Sequence, residues 1–149
     1  MVSAEKIKSL RDKTGISIMI CKKALESAEG DETKALEWLK KQGVEMAESK
    51  SQRTTKDGLI EAYIHSGGRV GVILELKSET DFVSKNPLFK EAAHNVAMHI
   101  AASSPENIDA LLQQPYIKDA SVTVGGYLNS IVQKFGEKIE LARFERFEI

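Results

Sequence analysis

The chain has 149 residues, 42% hydrophobic and 29% charged, with only three prolines and ten glycines, which is the balance of a globular protein and excludes a disordered one. Its 21 basic and 22 acidic side chains nearly cancel, so the broad basic surface used for direct nucleic-acid or anionic-membrane binding is missing and a protein partner is favoured. A single cysteine, Cys21, excludes an internal disulfide; no Cys/His spacing suits a metal, and no export signal or 18-residue apolar run is present, so a cytoplasmic protein is expected.

Ser3 is placed to cap a first helix in which Ile7 and Leu10 share a face and Thr14-Gly15 supplies the stop. A second helix is predicted from about Ile16 to Ala28, with Ile18, Cys21, Leu25 and Ala28 on one stripe and Glu29-Gly30 ending it. Ile16, Ile18, Met19 and Ile20 crowd most of its circumference, so some of them must stay exposed. Asp31 caps a third helix, where Ala35, Leu36 and Leu39 form a face near Trp38 and Gly43. Residues 1–48 thus read as a compact three-helix domain.

Residues 48–57 contain no apolar side chain, which predicts an extended linker over 49–57 and a second domain over 58–149. Ile60, Ala62 and Ile64 alternate with polar neighbours, as do Val70, Val72, Leu74 and Leu76 after Ser66-Gly67-Gly68, which predicts a β-hairpin. Residues 87–102 return to helical period, with Phe89, Ala92, Ala93, Val96, Ala97 and Ile100 on a stripe suited to covering a sheet. Pro105 and Pro115 bracket a short helix with Ile108, Leu111 and Leu112, and Val124 to Phe135 form another that stops at Gly136. A last strand spans 138–147, where Ile139, Leu141 and Phe147 share one face and Phe144 the other, so a bulge or a second buried face is expected. The order predicts an α+β fold, three helices followed by a mainly antiparallel three-stranded sheet covered by helices.

Few residues invite catalysis. His94 and His99 are five apart, about 140° round a helix, and share no metal-binding face. Gly67-Gly68-Arg69-Val70-Gly71 lacks the Lys-Ser/Thr ending of a phosphate loop and joins two strands, so it reads as a hairpin turn. Cys21 on its apolar stripe reads as a small core residue. Thr80-Asp81-Phe82-Val83 differs: it follows a strand directly, Thr80 can cap a brief helical turn, and Asn86-Pro87 breaks the chain before the next helix. Pattern alone leaves two readings open, a cap with Phe82 tucked into the core or a protrusion with Phe82 exposed.

The chain resembles the translation elongation factor Ts family, the guanine-nucleotide exchange factors of elongation factor Tu, over nearly its whole length. The residues that carry the resemblance are Leu10-Arg11-Asp12-Lys13-Thr14-Gly15, Cys21-Lys22-Lys23-Ala24-Leu25, Thr80-Asp81-Phe82-Val83, His99-Ile100-Ala101-Ala102-Ser103 and Phe144-Glu145-Arg146-Phe147-Glu148. It implies a ubiquitin-associated-like first domain, an α+β core, no cofactor and no bond-making residue. It implies elongation factor Tu, GDP-bound or nucleotide-free, as the partner. Asp81 and Phe82, with Thr80 and Val83 in the same turn, would wedge near the magnesium and phosphate site of the partner's GTPase domain. Further contacts would come from Arg11, Met19, Lys22 and Lys50 around the first domain and from His65 in the hairpin loop.

Ile18 and Ile20 stand where relatives commonly show methionine and aspartate. Longer members carry two related core halves and an inserted coiled coil, whereas here the Thr-Asp-Phe-Val turn leads straight into Ala93-His94-Asn95-Val96-Ala97-Met98-His99. A homodimer that restores the missing half through the core domain, by the last strand and Phe144, is therefore expected. Two competing readings are an adaptor for ubiquitin-like folds that uses Met19 and Ile20, and a small hydrolase built on His65 and Asp81.

Overall fold

The computed structural model describes the whole chain, Met1–Ile149. Helix α1, Ala4–Thr14, starts where the Ser3 hydroxyl accepts from the Lys6 N–H and stops at Gly15, whose φ of 71° lies in the left-handed region glycine tolerates. Helix α2, Ile18–Ser27, begins later than the pattern suggests because Ser17 caps it by accepting from the Ile20 N–H. Helix α3, Glu32–Lys50, starts at Asp31, whose carboxylate accepts from the Lys34 N–H. Leu10, Ile16, Cys21, Ala24, Leu25, Ala28, Ala35 and Leu39 form one small core among these helices. Ile18 does not join the predicted stripe and is exposed beside Met19; Ile16, just ahead of the helix, fills the core instead.

Helix α3 is longer than its pattern predicts, so residues 51–56 alone connect it to the sheet. Along this length α3 packs on α7, Val124–Phe135, with Gly43 at the contact. A Cβ there would stand 3.2 Å from Gln133 Oε1 and 3.6 Å from the Asn129 carbonyl oxygen. A methyl group would need Gln133 to give way slightly, and a larger side chain would press the helices apart.

The main sheet has the order β1-β2-β5, all antiparallel, from β1, Asp57–Ile64, β2, Val70–Ser78, and β5, Glu140–Glu148. Between β2 and β5 run α4, Asp81–Ser84, α5, Pro87–Ser103, α6, Ile108–Gln113, and a ribbon of β3, Pro115–Tyr116, with β4, Asp119–Thr123. Val72, Leu74 and Leu76 of β2 face Phe89, Ala93, Val96 and Ile100 of α5, and α7 closes the second core with Leu128 and Ile131. A fully buried leucine or phenylalanine in it contributes about 1.5–3 kcal/mol. The architecture is α+β.

In β1 the predicted apolar alternation has its faces reversed. Leu59 and Tyr63 pack against the core, while Ile60, Ala62 and Ile64 point to the uncovered face of the sheet. In β5 the pairing slips between Glu75 and Leu76 of β2, which absorbs one residue near Ala142. Leu141 and Phe144 therefore both face the core. The expected bulge is present, and the expectation that Phe147 shares a face with Leu141 is corrected: Phe144 joins Leu141 on the core side, and Phe147 is exposed beside Ile73 on the uncovered face.

Candidate functional site

The turn that leaves β2 is built by buried anchors around an exposed tip. Ser78 is fully buried and its hydroxyl donates to the Thr80 carbonyl at 2.9 Å. Ser84, at the other end of α4, is also buried and donates to Asp57 Oδ1 at 2.9 Å, tying the turn to the first residue of β1. That carboxylate also accepts from the Gly58 N–H. The Gly58 and Ser84 donors, with Lys85 nearby, hold the Asp57 carboxyl below its ordinary value against an opposing desolvation. Asn86 then caps α5 by accepting from the Leu88 N–H, and Pro87 fixes its first residue.

Within this frame Val83 turns inward and is 3% exposed, while Phe82 is 83% exposed. Of the two readings the pattern leaves open, the protrusion holds. Val83 supports the turn from below and offers no surface to a partner. Asp81 is exposed and meets Lys85 Nζ at 3.4 Å, an open pair worth less than about 1 kcal/mol and readily exchanged for another cation. Thr80 occupies the N-cap position, but its hydroxyl makes no capping bond. It donates instead to Glu137, a residue the sequence pattern does not single out.

The other predicted contacts lie elsewhere. Arg11 on α1 and Met19 and Lys22 on α2 are exposed, and Met19 and Lys22, three apart, share a helix face. Lys50, half-buried, ends α3. His65 is exposed in the hairpin loop, its Nδ1 at 2.9 Å from the Tyr63 hydroxyl. It lies beyond the far end of β1, about 26 Å of extended chain from Asp57, the residue to which the turn is tied. A hydrolytic His65 and Asp81 pair is therefore excluded by geometry.

His99 is buried with both ring nitrogens engaged, Nε2 at 2.8 Å from Gln114 Oε1 and Nδ1 accepting from the Ile117 N–H at 3.2 Å. Its role is structural. No group of three or more His, Cys, Asp or Glu is placed to hold a metal, and no helix is long and apolar enough to cross a membrane.

Comparison with known proteins converges on one family. The family model described as "Elongation factor TS" matches residues 22–108 and, separately, residues 79–149. The elongation factor Ts of Rippkaea orientalis is 39% identical over 192 residues, covering 98% of this chain and 77% of its own. That of Moorella thermoacetica is 36% identical over 194 residues, covering all of this chain and 96% of its own. That of a Nostoc species is 41% identical over 148 residues, covering 99% of this chain and 47% of its own. Residues 79–108 fall inside both family matches. The first two alignments exceed the 149 residues of the chain, so those relatives carry a segment it lacks.

Proposed function

The chain belongs to the elongation factor Ts family, and on that premise we propose that it binds elongation factor Tu and speeds the exchange of its GDP for GTP. The observation that carries this reading is the Phe82 ring, 83% exposed at the tip of a turn anchored by two buried serines. An unsupported aromatic at the surface would cost little to hide, yet here the fold braces it outward.

Asp81 and Phe82 press into the GTPase domain beside its magnesium and phosphate site. Magnesium demands near-ideal octahedral geometry and links nucleotide phosphates to the protein, so a displaced wall weakens the hold on GDP. By linkage, a factor that favours the empty GTPase lowers nucleotide affinity by the same ratio, and incoming GTP expels the factor. No bond is made or broken by this chain, which acts in the cytoplasm as an exchange factor and not as an enzyme of covalent chemistry. The three-helix module, in the manner of a ubiquitin-associated domain, supplies a second contact through Arg11, Met19, Lys22 and Lys50, and His65 supplies a third.

A homodimer through the core domain completes the reading. The uncovered sheet face carries Ile60, Ala62, Ile64, Ile73 and Phe147, an apolar surface of the kind a second copy would cover. The segment missing relative to longer relatives, and the double family match over residues 79–108, support a chain that holds one core half. Elongation factor Tu loaded with fluorescent GDP is the test: the chain should accelerate release into excess unlabelled nucleotide, and an unchanged release rate would refute the reading.

A further inference from the structure

We propose that Glu137 is a positioning residue for nucleotide exchange, a carboxylate clamp that sets the angle at which Phe82 leaves the protein. The inference rests on the reading that the Phe82 turn acts on elongation factor Tu.

Glu137 lies on no regular element of its own. It follows Gly136, the left-handed end of α7, and precedes β5. The end of α7 is itself fixed, because Phe135 meets Phe89 of α5 edge-on at 6.5 Å between ring centres. From there the carboxylate reaches across to the turn and accepts three hydrogen bonds. Oε1 takes the backbone N–H groups of Glu79 at 3.1 Å and Thr80 at 3.0 Å, and Oε2 takes the Thr80 hydroxyl at 2.7 Å. Two consecutive N–H groups on one oxygen fix the peptide planes that lead directly into α4.

The Thr80 hydroxyl argues that this is more than incidental packing. At an N-cap position a threonine ordinarily satisfies a helix N–H, a contribution of about 1 kcal/mol. Here that bond is absent and the hydroxyl is committed to Glu137. Charge-assisted bonds of this kind are roughly twice as strong as neutral ones. The other restraints, Ser78 to the Thr80 carbonyl and Ser84 to Asp57, hold the root and the far end of the turn. Glu137 is the group that takes the backbone N–H of both residues immediately before Asp81, while Ser78 holds only the Thr80 carbonyl and Arg53 meets only the Glu79 side chain.

The role separates from simple stability by a double-mutant cycle on the full chain, read as exchange from elongation factor Tu with fluorescent GDP. Glu137→Ala should lower exchange efficiency by roughly tenfold, the effect of one charge-assisted bond's worth of positioning. Glu137→Gln keeps an acceptor for the two N–H groups and should recover most of it. In a Phe82→Ala background Glu137→Ala should have little further effect, since nothing remains to be aimed. Thr80→Val, which removes one of the three bonds, gives a milder loss and an independent arm should Glu137→Ala fold poorly. If Phe82→Ala exchanges at the full rate, the reading of the turn fails and the proposal with it. If Phe82→Ala is slow but Glu137→Ala and Thr80→Val match the parent, or slow exchange by equal factors with and without Phe82, the clamp alone is overturned.

Discussion

Two adjacent residues of the turn, Phe82 and Val83, are expected to respond to truncation in opposite ways. With its ring 83% exposed, Phe82 buries almost nothing within the chain, so Phe82→Ala should alter the unfolding free energy by less than about 0.5 kcal/mol. Val83 is buried against the core, and Val83→Ala should cost about 2 kcal/mol. For a chain of this size that corresponds to a fall in Tm of roughly 4–8 °C. Against elongation factor Tu the ranking inverts. A phenylalanine ring that leaves water on docking contributes about 2 kcal/mol, so its loss should reduce exchange efficiency by roughly thirtyfold. Circular dichroism on heating reads the first quantity and stopped-flow release of fluorescent GDP the second. A Phe82→Ala protein that melts as early as Val83→Ala while exchanging at the parent rate would show the ring to be structural.

Phe147→Asp places a charge on the uncovered sheet face and should convert a dimer to a monomer near 16.5 kDa by light scattering, with the melting of the isolated fold little changed; a parent chain that is already monomeric at micromolar concentration removes the dimer. Gly43→Leu forces a side chain between α3 and α7 and should cost about 1–3 kcal/mol, so an unchanged Tm would contradict the close approach of these helices. The Asp57 carboxyl should titrate below 3.8 by NMR, and Ser84→Ala should move it back up. Because its folded value is the lower one, the stabilisation from Asp57 is complete above the unfolded value and is lost as pH falls through the folded one. Asp57→Asn should accordingly flatten the acid limb of stability below about pH 4.

Where apolar period and stop signals coincide, the sequence reads directly into the fold. Ser3, Gly15, Asp31, Asn86 and Gly136 mark helix ends because each acts on its own neighbours, and the stripe from Phe89 to Ile100 meets the sheet as its spacing requires. The misses share a different cause. Ile60, Ala62 and Ile64 look like a core face, but the partner that decides which face is covered, α5, lies far along the chain and selects Leu59 and Tyr63. The end of α3 runs two residues past the expected boundary at Glu48, and its packing on α7 around Gly43 is a contact between distant segments that the local pattern does not show. The broken alternation of the last strand announces a bulge, but its place near Ala142, which decides that Phe144 faces the core and Phe147 does not, is set by the pairing with β2. The Thr80 to Val83 turn was visible by its position between strand and Asn86-Pro87, whereas Glu137, distant in sequence and without periodic neighbours, was not.

Because Gly43 lets α3 lie directly on α7, the surface around Met19 and Lys22 and the turn with Phe82 belong to one body and not to two beads on a string. A partner that engages either surface meets the other at an effective concentration set by fixed geometry, and the loss of translational and rotational freedom on association is taken once for both. Contacts that would each be weak alone can then act as a single grip, one that releases as a whole when either end is displaced.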